Sequence, residues 1–134
     1  MSKIFSCKKI SKGLVEGTVV ISPEPILFYH TDPKTGEITE KNHPLYGKSV
    51  KDKIIIFPGG KGSSVVQAEG LYYFEEKQSS PKAFIVENLD TVLVSCAIIM
   101  EIPMVNEVDK DFYESIKDGD KIILNATKEI IRIL

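Results

Sequence analysis

Lys53-Ile54-Ile55-Ile56-Phe57-Pro58-Gly59-Gly60-Lys61-Gly62-Ser63-Ser64 is an apolar run that ends in a glycine-rich turn. A short run of large apolar residues bounded by a turn signal predicts a buried strand. The residues that follow, Val65-Val66-Gln67-Ala68-Glu69-Gly70-Leu71-Tyr72-Tyr73-Phe74, read as a helix. Strand, glycine turn and helix in that order point to a mixed α/β fold. The first N–H groups of a helix have no partner within it, and the helix dipole favours negative charge there. Gly59, Gly60 and Gly62 allow the backbone to approach a ligand closely. The expected guest is a phosphate, a carboxylate or an oxyanion forming on a serine. The spacing is not that of a P-loop, because Lys61 precedes the last glycine, and G-x-G-x-x-G is absent too. The same residues also suit a tight strand–helix turn that holds no ligand.

Working outward, the length of 134 residues fits one domain, spanning 1–134, with a core that needs neither disulfide nor metal. A net charge of −2 gives no reason to expect nucleic acid or an anionic membrane surface as partner. No apolar run approaches the roughly 20 residues of a membrane-crossing helix. The first residues, Met1-Ser2-Lys3-Ile4-Phe5-Ser6-Cys7-Lys8-Lys9, lack an apolar signal core, so a cytoplasmic location is expected. Cys7 and Cys96 show no C-x-x-C spacing, and a disulfide is not expected in a reducing compartment. Two Cys and two His do not supply the usual ligands of an iron–sulfur cluster. Cys96, in the apolar run 92–100, reads as a small buried residue.

Upstream of the turn, Leu14-Val15-Glu16-Gly17-Thr18-Val19-Val20-Ile21 reads as a strand and Ile26-Leu27-Phe28-Tyr29 as a second short apolar run. The polar stretch 30–48 carries turn signals at Asp32-Pro33-Lys34-Thr35-Gly36 and His43-Pro44-Leu45-Tyr46-Gly47, with Glu37-Ile38-Thr39 able to pair back across the first. So long a stretch is either a lid or binding loop, or a plain surface excursion. For His43, a lone loop histidine, a solvated or structural role is the commoner one. Downstream, Ala83-Phe84-Ile85-Val86-Glu87 reads as a strand. Asn88-Leu89-Asp90 caps a helix through Met100, although Thr91-Val92-Leu93-Val94 equally allows a strand. Ile102-Pro103-Met104-Val105 is a short strand. Asp109 and Asp111 are N-cap candidates for a short helix, with Asp111 and Glu114 spaced as in a capping box. Lys121-Ile122-Ile123-Leu124 and Glu129-Ile130-Ile131-Arg132-Ile133-Leu134 form a hairpin around Asn125-Ala126-Thr127, a sequon read as a turn.

The order of these motifs carries a resemblance. Gly13-Leu14-Val15-Glu16-Gly17, Thr31-Asp32-Pro33-Lys34-Thr35-Gly36-Glu37-Ile38, His43-Pro44-Leu45-Tyr46-Gly47, Phe57-Pro58-Gly59-Gly60-Lys61-Gly62-Ser63-Ser64 and Ala97-Ile98-Ile99-Met100-Glu101-Ile102-Pro103-Met104-Val105 follow one another as in the swivel domain of the aconitase X family. The chain resembles that domain over nearly its whole length, most closely the separate small subunits of the branch acting on mevalonate 5-phosphate. The resemblance implies a swivelling β/β/α domain with a barrel-like β core. It implies one half of a heteromeric hydro-lyase, inactive without a large subunit that carries a [4Fe-4S] cluster. This chain would itself bind no cofactor. The substrate would be a small hydroxy acid, either mevalonate 5-phosphate or a relative of cis-3-hydroxyproline.

Lys61-Gly62-Ser63 matches the core of the family motif, which makes Ser63 the base that, as alkoxide, removes the proton next to the substrate carboxylate. Ser64 is the runner-up. Lys61 would stabilise the alkoxide or bind a carboxylate or phosphate, and Gly59, Gly60 and Gly62 would let the backbone approach. A cap for the helix is the competing role of Ser63. Val65-Val66-Gln67 stands where the family usually has small residues, Cys96-Ala97 where it often has Gly-Ala, and Met100-Glu101 where it often has Ala-Gly. These larger residues would reshape the cleft. A swivel-type module that binds anions or regulates without catalysis is the alternative function. A phosphohistidine carrier is disfavoured, since neither His30 nor His43 sits in a glycine-rich loop.

Overall fold

The computed structural model describes residues 3–134. The run 53–57 is a strand, β4 (Ile54–Phe57), and it is buried on both faces. Its side chains alternate between two cores. Ile54 and Ile56 join Val19, Ile85, Phe112, Ile122, Leu124 and Ile131 in one. Ile55 and Phe57 join Phe28, Leu71, Phe74, Phe84 and Leu93 in the other. A strand covered on both sides has no polar face to show, so its sequence reads as an unbroken apolar run.

The strands are β1 (Lys3–Ser6), β2 (Lys8–Ser11), β3 (Leu14–Ile21), β4, β5 (Ala83–Val86), β6 (Met104–Asn106), β7 (Lys121–Asn125) and β8 (Ile130–Ile133). They lie in one eight-stranded sheet in the order β1-β8-β7-β3-β4-β5-β6-β2. The four central strands β3, β4, β5 and β6 run parallel. The flanking pairs are antiparallel. β1 and β2 stand at opposite ends of this order, yet only Cys7 separates them in the chain. The two edges are thus joined through one bend, and the sheet curls into a nearly closed barrel. The barrel-like core expected of a swivelling β/β/α domain is present.

α1 (Ser64–Lys77) connects β4 to β5, and α2 (Thr91–Ile99) connects β5 to β6. Both helices lie on the Ile55–Phe57 side, so both begin at the carboxyl ends of parallel strands, where open α/β sheets place their ligands. Gly70 lets α1 come down on the 28–29 backbone, since an added methyl there would overlap Tyr29 N and Phe28 C. α3 (Lys110–Ser115) packs Phe112 into the barrel core, edge-on to Phe5.

Several local expectations change. β1 and β2 had no counterpart in the sequence reading. Residues 26–29 form no strand. Ile26 makes a single bridge to Gly60, and Phe28 becomes the hub of an aromatic cluster with Phe57, Phe74 and Phe84, centroids 5.5–6.0 Å away. The stretch 30–48 is no bare excursion. Ile38 and Leu45 are both 2% exposed, and bridges join Ile38 to Thr31 and to Tyr46. His43 is buried and structural: Leu45 N donates to its Nδ1 at 3.0 Å, and its Nε2 lies 3.0 Å from the Pro25 carbonyl, to which it donates in that tautomer. Asp111 lies inside the first turn of α3 and begins no capping box. The cap position is Asp109, whose carboxylate instead accepts from Ser6 N at 2.9 Å. Residues 91–99 are helix, not strand. Cys96 is half-buried.

Candidate functional site

The turn 57–64 stands at the carboxyl end of β4, beside the turn that leads from β5 into α2. The two turns are stitched together, since Asn88 N donates to the Pro58 carbonyl at 2.9 Å. Between them a pocket of about 150 Å³ is lined by Gly60, Lys61, Gly62, Ser64, Gln67, Asp90 and Val92. The structure therefore gathers Gly60, Lys61, Gly62 and Ser64 around one cavity. Gly60 owes its identity to space. A Cβ there would lie 2.6 Å from Gln67 Nε2 and 2.9 Å from Asp90 Oδ2. Gly62 owes its identity to conformation, with φ of 81°, a region that disfavours any other residue. Gly59 is buried against the Asn88 carbonyl.

Ser63 is the N-cap residue of α1, with extended backbone angles (φ −67°, ψ 139°). Among the described residues its side chain makes no capping hydrogen bond, and it is exposed. The first turn of α1 also carries no acidic residue. Its N–H groups and its dipole are thus left for an outside acceptor. The neighbouring helix differs. Asp90 caps α2, accepting from Leu93 N at 2.9 Å.

Lys61, a lining residue of the pocket, has an acidic partner. Its Nζ donates to Glu40 Oε2 at 2.7 Å, while Glu40 Oε1 lies 3.6 Å from His30 Nδ1. The Lys61 ammonium, through that hydrogen bond, holds the Glu40 carboxyl below its ordinary value of 4.5. The pair therefore stands at neutral pH and is lost only as pH falls through the lowered value.

Gln67 is buried, with both ends of its amide used: Oε1 accepts from Phe28 N at 2.7 Å and Nε2 donates to the Ile26 carbonyl at 2.9 Å. It ties α1 to the 26–28 segment. Glu40, His30 and Gln67 are the site residues that sequence reasoning missed. Gln67 stood out only as a departure from the family pattern, and no local signal marked Glu40.

The two thiols do not meet. Cys7 lies in the barrel core, where burial pushes its pKa up to about 11, and Cys96 packs against the opposite core. At Glu101 φ is 57°, the left-handed region that glycine favours.

A model of the aconitase X swivel domain matches residues 4–133. The chain belongs to the aconitase X swivel domain family. A relative from Methanosarcina mazei named phosphomevalonate dehydratase small subunit is 40% identical to this swivel domain over 97% of the chain and 90% of its own length. One of the same name from Archaeoglobus fulgidus is 32% identical, over 97% of this chain and 98% of its own. Among solved structures, the holo-form of Thermococcus kodakaraensis aconitase X superposes with a TM-score of 0.88 at 35% identity, covering 98% of both chains. The swivel fold is therefore that of a known family, with nearly full-length matches on both sides.

Proposed function

We propose that this chain is the small subunit of a cytoplasmic heteromeric dehydratase, with Ser63 as the base. The reading is supported by the names of the relatives and by one observation above others: Ser63 stands at an open helix N-terminus with its hydroxyl not used as a cap. A serine hydroxyl is a weak base at neutral pH, so its alkoxide needs fixed donors and exclusion of water. The unpaired N–H groups of α1 are such donors. Val65, 75% exposed beside Ser63, and Leu89, 46% exposed beside Asp90, supply an apolar rim that a large subunit could cover.

The substrate we propose is mevalonate 5-phosphate, with cis-3-hydroxyproline or another small hydroxy acid as the alternative. The Ser63 alkoxide takes the proton next to the carboxylate. The C–H electron pair becomes the new double bond, the hydroxyl on the neighbouring carbon departs with its bonding pair and takes up a proton from solvent to leave as water, and Ser63 returns its proton to solvent. Lewis-acid assistance to that hydroxyl is the chemistry of an iron–sulfur cluster in the large subunit, and no residue here is asked to hold it.

The test is co-expression with the large subunit under anaerobic conditions, then a dehydration assay with both substrates. Ser63→Ala is expected to lose about 10³-fold in kcat, the scale of a lost general base, while the complex still assembles. Near-wild-type turnover by that variant sinks the base assignment. An assembled wild-type complex that turns over neither substrate favours the non-catalytic module.

A further inference from the structure

Glu40 belongs to no strand or helix, yet it is not on a loose tip. Its neighbour Thr39 donates its N–H to the His30 carbonyl at 2.9 Å, and His43 N donates to the Glu40 carbonyl at 3.1 Å. Ile38 anchors the chain in the core on one side and the buried His43 ring anchors it on the other. The carboxylate is therefore projected from a fixed backbone. It meets Lys61 in a partly shielded setting, with the two side chains 24% and 36% exposed.

Lys61 by itself is badly placed to aim a charge. It sits between Gly60 and Gly62, which offer no side chain to pack its stem, and that stem has four rotatable bonds. A free lysine there would lose its rotamer entropy each time it gripped a ligand. Glu40 removes much of that freedom in advance. One carboxylate oxygen engages one of three ammonium N–H groups, which leaves two for a guest. Lys61 is also the one cation among the residues lining the pocket, and the Asp90 carboxylate in the same lining accepts from Leu93 N.

We infer that Glu40 is a positioning residue for Lys61, a lining residue of the pocket, fixing its ammonium so that it receives the anionic end of the substrate. The inference rests on the dehydratase reading above for its substrate, but not for its anion. It makes 30–48 a working part of the site, reached through one ion pair across 21 positions of sequence.

Two measurements test it. In the assembled complex, Glu40→Ala is expected to raise KM for mevalonate 5-phosphate about tenfold while kcat moves by less than about threefold, the signature of lost ground-state binding. Glu40→Gln, which keeps the shape and one acceptor, falls between wild type and Glu40→Ala. In a Lys61→Ala background, Glu40→Ala adds nothing further. A Glu40→Ala effect that persists in full without Lys61 overturns the inference in favour of a merely structural role.

The second measurement needs no activity. Inorganic phosphate is titrated into the full chain and followed by NMR at the Gly62 and Ser64 amides and the Lys61 side chain. Saturation is expected about tenfold later in Glu40→Ala than in wild type. Equal binding by the two, or wild-type amides that ignore phosphate, overturns the inference. A complex with no turnover but a Glu40-dependent phosphate response would retire the dehydratase reading and keep this one.

Discussion

The β4–α1 and β5–α2 turns leave the same end of the sheet, side by side, and treat their helix N-termini in opposite ways. In the second, Asp90 turns its carboxylate back onto Leu93 N, so the helix is capped by its own chain. In the first, Ser63 occupies the cap position and leaves its hydroxyl outside the cap. One turn is closed by a residue that stabilises the fold. The other is left open beside a cation, an anion partner and a pocket. The difference teaches that the cap position and the cap interaction are separate things. A serine that could cap and does not is a candidate for chemistry, because its hydroxyl has not been committed to the backbone.

The comparison can be broken or sharpened by mutation. The largest effect is expected at Gln67, the clamp that lets the open turn stay rigid without a cap. Gln67→Leu strands the buried Phe28 N–H and Ile26 carbonyl, at a cost of about 1–3 kcal/mol for each unsatisfied group. Chemical denaturation should show a destabilisation of about 4 kcal/mol, the middle of the roughly 2–6 kcal/mol that two such groups give. A change under about 1 kcal/mol would mean that water or backbone adjustment satisfies both groups. Asp90→Ala comes next, at about 1 kcal/mol for a lost cap. The smallest change belongs to Ser63→Ala, within about 0.5 kcal/mol of wild type because no capping bond is removed. If Ser63→Ala costs as much stability as Asp90→Ala, the two turns are alike and the contrast between them fails. The activity assay should rank the last variant the other way, with Ser63→Ala the most damaged.

Much of the molecule could be read without coordinates. β4, α1, β5 and the terminal hairpin rest on signals that act over a few residues, apolar runs and a glycine turn, whereas the sequence of α2 allowed helix or strand and the structure decided for helix. The N-terminal strands could not be read that way. Lys3–Ser6 and Lys8–Ser11 are short and lysine-rich, and they become strands because β8 and β6 offer pairing edges distant in sequence. The 30–48 stretch reads as polar because most of it is. Its three inward residues, Ile38, Leu45 and the buried ring of His43, do not share a period that marks a helix or a strand. The site divides in the same manner. Gly60, Lys61, Gly62 and Ser64 adjoin in the chain and could be named together. Glu40 joins them only across the fold, with nothing beside it to mark it.

What the sequence by itself determined, then, is the chemistry on offer at the end of β4: glycines, a lysine and two serines at the start of a helix. What only the tertiary structure decided is how each of those groups is committed. Gln67 takes the 26–28 backbone, Asp90 takes its own helix, Glu40 takes Lys61, and Ser63 is left uncapped. The reason is physical. Local propensities set which conformations a few residues prefer, whereas a hydrogen bond or an ion pair between distant residues exists only once packing has fixed both partners within about 3 Å of each other.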